Sequence, residues 1–236
     1  MPSTATPGDR DPLILAVDSS ATASAALIHQ GTVLAAAETE STHHHAEVLT
    51  PLVNRVLAEA GVASGPDQRL THLAVGVGPG PFTGLRAGIV TAQSLGFVWD
   101  TPVLGVMSLD ALAYRAAEDA WRRGAEEFIV ATDARRREVY WAHYSTVGGQ
   151  FQRLHGPFVT APGDVTELPV YGAGAGLYPE QLHVVEGFDH TVPHAGDLGL
   201  VAELGLRRGR GLVAPEPQYL RESDATIPTH LARRDG

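Results

Sequence analysis

Leu13-Ile14-Leu15-Ala16-Val17-Asp18-Ser19-Ser20 is the stretch on which the fold turns. An unbroken aliphatic run ends in an aspartate, as a buried strand does where it meets a turn. Ala23 to His29 can return as a second strand, Gln30-Gly31 is a turn, and Thr32 to Glu38 makes a third, giving an antiparallel meander. The motif comes back later in the chain. Glu127-Phe128-Ile129-Val130-Ala131-Thr132-Asp133 again runs into an aspartate, and Glu138 to Tyr144 returns with alternating bulky residues. Two such units hint at an internal duplication of one α/β unit.

Between the two units the periodicity changes. From His45 onward, Leu49, Leu52, Val53, Val56, Leu57 and Ala60 fall at helical spacing, and Gly61 stands where a left-handed C-terminal cap belongs. A strand is predicted over 72–77, then the loop 78–84, a second apolar helix over about 86–98, and a strand over 103–107. Ser108 reads as the N-cap of a helix ending near Gly124, with Asp110 in its first turn. A short strand and Gly-rich turn follow over 170–176, then a helix over 197–208 and the tail Pro215 to Arg221. Residues 1–11 mix Pro, Gly, Ser, Thr and charge without periodicity and read as a disordered leader. The expected organisation is a first domain over 12–107 and a second over 108–221, whose last helix packs back on the first, then a flexible tail over 222–236.

Composition closes several routes to function. The 236 residues contain no cysteine, so a thiolate nucleophile, a disulfide framework and a sulfur-ligated zinc site are excluded. All 17 basic residues are arginine, which removes any Walker or Schiff-base lysine. A net charge of -10 argues against an autonomous nucleic-acid binder, although local arginine clusters could act within a larger assembly. With neither a membrane-length apolar run nor a signal peptide, the chain reads as cytoplasmic.

Three stretches invite a chemical reading. In His43-His44-His45-Ala46-Glu47, neighbouring side chains on a helix diverge by about 100°. Only His43 and Glu47 can then share an ion, fewer ligands than zinc requires; the competing reading is a polar helix start. The loop Gly76-Val77-Gly78-Pro79-Gly80-Pro81-Phe82-Thr83-Gly84-Leu85-Arg86 lies between a strand and a helix, where phosphate could bind. Its glycine spacing is not that of a dinucleotide fingerprint, and Pro79 and Pro81 remove two donors, so a rigid connector fits better. Asp18 and Asp133 end strands, but the sequences after them, Ser19-Ser20-Ala21-Thr22 and Ala134-Arg135-Arg136-Arg137, lack a glycine for close phosphate approach. Turn-capping suits both aspartates better than catalysis, and the arginine run, able in principle to clamp an anion, is more often a solvated face.

The segments Leu15 to Ser20, His45 to Leu52, Gly76 to Gly88, Asp133 to Tyr140 and Pro217 to Arg221 together closely resemble the TsaB (YeaZ) family, in order from about residue 13 to 221. Gly78-Pro79-Gly80, Phe82-Thr83-Gly84 and Arg86 form the most specific signature. The resemblance implies an actin-like ASKHA (ribonuclease H-like) fold of two related α/β domains. It also implies a non-catalytic subunit of the bacterial machinery that forms N6-threonylcarbamoyladenosine at position 37 of tRNAs reading codons that start with A. The metal-bearing paralogue TsaD would be the partner, with the ATPase TsaE joining the complex.

Relatives of the TsaD type carry two histidines four residues apart on the first helix; here His45 is followed by Leu49. The resemblance therefore implies no catalytic residue, no metal and no cofactor of the chain's own, with nucleotide only in the assembled complex and tRNA contacted indirectly. It places the partner surface on the first two helices: His45, Glu47, Leu49, Leu52, Val53 and Val56 on one, and Ala87, Gly88, Val90, Thr91, Ser94 and Leu95 on the other. The same surface could serve a homodimer, and part of each stripe must face the sheet. The alternative is an autonomous metal- or nucleotide-dependent enzyme of the same fold; a small-molecule-binding module using the Gly-rich loops is a third reading.

Overall fold

The structure, a computed structural model, describes residues 11–39, 45–65 and 69–221, without the side chains of His45 and Ala46. The leader through residue 10, the tail from 222, and His43 and His44 lie outside the described residues.

The opening run forms β1 (Leu13–Asp18), which pairs antiparallel with β2 (Ser24–His29), itself antiparallel to β3 (Thr32–Glu38). A helix, α1 (His45–Glu59), then crosses to β4 (His72–Gly76), parallel to β1, and α2 (Phe82–Val98) crosses to β5 (Val103–Val106), parallel to β4. The first sheet has the order β3-β2-β1-β4-β5. After α3 (Ser108–Arg122) the plan repeats with β6 (Glu127–Asp133), β7 (Val139–Val147), β8 (Gln150–Thr160), β9 (Pro169–Tyr171), the short α4 (Ala173–Leu177) and β10 (His183–Val184). Read from β8, the second sheet has the order β8-β7-β6-β9-β10, with β6, β7 and β8 antiparallel and β9 and β10 parallel to β6. Position for position this matches the first sheet. The chain is a duplicated α/β unit with the actin-like ASKHA architecture.

Strand alternation divides the core. Leu15 and Val17 face α1 and α2 together with Leu49, Val53, Val56, Leu57 and Ile89. Ile14 and Ala16 face the opposite way, against Leu198, Val201 and Ala202 of α5 (Ala195–Arg208). Alpha helix α3 covers Phe128, Val130, Ala142 and Tyr144 of the second sheet, and packs against α5. The order of layers is thus α1 and α2, first sheet, α5 and α3, second sheet, α4. Each fully buried Leu or Val in these layers stabilises by about 1.5–3 kcal/mol relative to exposure. Among the described residues no helix is long and apolar enough to cross a membrane.

Four local readings change. Helix α2 begins at Phe82, several residues earlier than its apolar spacing suggests, because Pro81 can stand at the N-cap without needing a donor. Ser108 is the first residue of α3 rather than its N-cap; Met107 holds the cap position with no side-chain bond, and the Ser108 hydroxyl is used elsewhere. The Gly-rich turn after β9 contains a short helix, α4. Strand β8 has no counterpart in the sequence reading, since it is a half-exposed edge strand interrupted by Gly156-Pro157.

Candidate functional site

The two strand-ending aspartates, Asp18 and Asp133, stand at the turn after β1 and the turn after β6. Asp18 closes β1 and is fully buried. Its Oδ1 accepts from the Ser20 backbone N–H at 2.9 Å and the Ser20 hydroxyl at 2.7 Å, and its Oδ2 accepts from the Ser108 hydroxyl at 2.8 Å. The Ser108 oxygen in turn accepts from Gly78 N–H at 3.2 Å. Burial pushes the Asp18 carboxyl above its ordinary value, opposed by the Ser20 and Ser108 hydrogen bonds and by the charge of His194.

The signature loop forms a lid over this carboxylate. A Cβ on Gly76 would overlap Asp18 Oδ2, and one on Gly80 would stand 2.7 Å from the Ser20 carbonyl oxygen. Gly88 packs against the Ser19 side chain, whose hydroxyl donates to the Gly84 carbonyl at 2.8 Å. The backbone that would have to approach a phosphate is therefore covered by α2 and the loop leading into it. This is the rigid connector expected from the two prolines, and its glycines serve close packing of protein on protein.

A strap from the C-terminal end locks the lid. Val213 N–H donates to the Gly105 carbonyl, and Gln93 Nε2 donates to the Pro215 carbonyl at 3.0 Å. Gln218 N–H donates to the Val77 carbonyl at 2.8 Å. Tyr219 stacks on Phe82 with ring centroids 4.3 Å apart, and Arg86, its guanidinium carbon 3.7 Å from the Phe82 centroid, donates from Nε to Tyr219 Oη at 2.8 Å. The strap then reaches the second domain, where Arg221 Nη1 donates to the Ala134 carbonyl at 3.0 Å and Arg221 pairs with Glu138.

At the second turn, Asp133 Oδ1 accepts from Arg135 N–H at 2.7 Å and Oδ2 pairs with Arg135 Nη1 at 3.1 Å, so the aspartate caps the turn. Arg135, Arg136 and Arg137 are exposed and all left-handed, with φ of 60°, 55° and 62°. For residues with a side chain this costs about 1–2 kcal/mol each.

The first two helices show how the apolar stripes divide. Leu49, Leu52, Val53 and Val56 are core residues, none more than 8% exposed, packed on the chain's own sheet. That places them in the core rather than on a partner surface: together with α2 they cover the β1–β2–β4 face. Gly88 is likewise buried against Ser19, and Ala87 and Leu95 are half-buried against the same core. Glu47, Val90 and Ser94 are exposed and Thr91 is half-buried, while the His45 side chain lies outside the described residues. Sequence reasoning passed over Phe97 and Val98, which are 90% and 63% exposed at the end of α2. Thr83, Ala87, Val90, Ser94 and Phe97 recur every three or four residues, and continuing that stripe to the end of the helix finds the missed phenylalanine.

Against known proteins, the family model described as "TsaD: tRNA N6-adenosine threonylcarbamoyltransferase" matches residues 32–197. The Escherichia coli tRNA threonylcarbamoyladenosine biosynthesis protein TsaB is 32% identical over 235 residues, covering 90% of this chain and 96% of that protein. The chain belongs to the TsaB (YeaZ) family. An uncharacterised Mycobacterium tuberculosis protein is 36% identical over 215 residues, covering 90% of this chain and 93% of its own length. YeaZ from Pseudomonas aeruginosa superposes with a TM-score of 0.74 at 34% identity, covering 89% of this chain and all of that one. The loop Gly78 to Arg86, on which the resemblance to this family rests, is the lid over Asp18.

Proposed function

We propose that this chain is a non-catalytic subunit of tRNA threonylcarbamoyladenosine biosynthesis, pairing with a TsaD-type protein through the outer face of α1 and α2. The observation that carries the reading is the sealed Asp18: each carboxylate oxygen is hydrogen-bonded within the protein, and Gly76 and Gly80 leave no space between the β1 turn and the lid. A turn packed in this way has nothing to offer a phosphate or a nucleophilic water. Leu49, buried in the core where a TsaD-type helix would carry its second histidine, supports the same conclusion.

The partner surface in this reading consists of Val90, Ser94, Phe97 and Val98 on α2, beside the exposed Glu47, Pro51 and Asn54 of α1. An aromatic that is 90% exposed at the end of an apolar stripe has the character of an interface anchor. Threonylcarbamoyl transfer would take place on the TsaD-type subunit, position 37 of tRNAs reading codons that start with A would receive the group, and a TsaE-type ATPase would join the assembly. The chain would bring no metal or nucleotide of its own.

Reconstitution of the modification from purified TsaD-, TsaC- and TsaE-type proteins and unmodified tRNA, with and without this chain, tests the proposal. Modification should depend on the chain. Full modification in its absence, with the other components folded, would overturn the assignment.

A further inference from the structure

We propose that the β6–β7 turn, Arg135-Arg136-Arg137, docks the phosphate backbone of RNA. The inference deepens the functional reading above and rests on it for the identity of that RNA as tRNA.

Backbone conformation is the first observation. Among the described residues, no other consecutive residues with side chains share positive φ. A hairpin that needed only to reverse direction would place Gly, Asn or Asp at such positions. Strain held at an exposed loop is the kind of outlier that marks a site. Successive side chains around such a turn diverge by about 100°. The Arg135 guanidinium turns back to Asp133, so the exposed Arg136 and Arg137 are the side chains that successive phosphates of an extended strand would meet. Each can bind a phosphate through two parallel N–H donors.

The second observation is how the base of the turn is braced. Ala134 N–H donates to the Glu138 carbonyl, and Glu138 N–H donates to the Arg135 carbonyl, each at 3.0 Å. Asp133 is occupied by Arg135, and Glu138 by Arg221 of the strap. The two carboxylates nearest the turn are therefore engaged in holding it.

Local charge is the third. Tyr219, which accepts from Arg86, stands two residues before Arg221, within about 7 Å of chain. The strap thus brings Arg221 to the turn, through the Ala134 carbonyl and Glu138, and holds Arg86 through Tyr219. Arg135, Arg136, Arg137 and Arg221 meet at the turn, where Asp133 and Glu138 pair with Arg135 and Arg221, in a chain whose net charge is -10. A basic patch on an acidic protein would orient a polyanion toward this one face.

The test uses the full chain with its TsaD-type partner and unmodified tRNA, measuring Kd against salt concentration for wild type, Arg136→Gly/Arg137→Gly and Arg136→Glu/Arg137→Glu. The glycine pair relieves the backbone and keeps the fold, so a loss of affinity reports on the side chains. The expected result is roughly a tenfold loss for the glycine pair, with the log–log salt slope shallower by about 1–2, and a larger loss for the glutamate pair. Wild-type affinity and slope in the glycine pair would overturn the proposal. So would loss of partner pairing with tRNA affinity intact, which would assign the patch to a protein contact. A parallel modification assay with and without the chain separates the two claims. If the chain is dispensable there, the functional reading fails, and the docking site is judged by the isolated chain at about 50 mM salt, a regime favourable to phosphate contacts. Wild-type retention of tRNA that the glycine pair loses supports the site, and no retention by wild type overturns it.

Discussion

The hydroxyl of Ser108 donates to Oδ2 of Asp18 over 2.8 Å, fastening the first turn of α3 to the last residue of β1. Both groups are buried. The aspartate that closes β1 is here a tie between the first sheet and α3.

Removing that tie should be costly. Ser108→Ala leaves one buried carboxylate oxygen and the Gly78 N–H without their partner, at about 1–3 kcal/mol for a buried group left unsatisfied. A urea melt should show a lowered midpoint with an unchanged slope.

Stability should also depend on pH in a definite direction. Burial raises the carboxyls of Asp18, Asp110 and Asp197 above the ordinary value of 3.8, against opposing pulls from Ser20, Arg153 and Arg115 respectively. A group whose folded pKa is raised is more protonated when folded, so its contribution is complete below the unfolded pKa and is lost as pH rises through the folded one. Denaturant midpoints measured upward from about pH 4 should fall with pH, and Asp18→Asn should flatten that slope. An equally steep slope in the variant would show that Asp18 does not titrate in this way.

The helices make opposite predictions for neighbouring apolar residues. Leu49→Ala should destabilise by about 2–5 kcal/mol because it opens a cavity in a closed core. Phe97→Glu and Val90→Glu should leave stability within about 0.5 kcal/mol, as surface changes do. The same two substitutions should weaken pairing with the TsaD-type partner at least tenfold, readable by co-purification and calorimetry.

Gly80→Ala probes the lid. Its Cβ would meet the backbone oxygen and Cα of Ser20 at 2.7 and 2.9 Å, neither the end of a flexible side chain, and about 1–3 kcal/mol of overpacking should result. Tyr219→Ala should cost about 0.5–1.5 kcal/mol from the Phe82 stack, with faster amide exchange across residues 77–86.

Much of this was legible before any coordinates. The two strand–aspartate units predicted the duplication because a buried strand must read as an unbroken apolar run, and both do. The capping role of Asp133 followed from the missing glycine. What periodicity could not supply was the division of α1 and α2 into inner and outer faces: Leu49, Leu52, Val53 and Val56 satisfy a partner stripe and a core stripe equally well, and only the sheet beneath them decides. Phe97 becomes legible only when the outer stripe of α2, Thr83, Ala87, Val90, Ser94 and Phe97, is followed to the end of the helix. The left-handed arginines were invisible for a different reason, since nothing in an arginine triplet announces positive φ.

The central claim is that the chain serves through its surface, with its inherited site closed. Its most direct measurement is the rate of tRNA modification in the reconstituted system with Asp18→Asn or Phe97→Glu in place of wild type, each variant first shown to be folded. The account predicts wild-type rates with Asp18→Asn and a rate that falls with lost pairing for Phe97→Glu. A folded Asp18→Asn protein that pairs normally yet abolishes modification would contradict it.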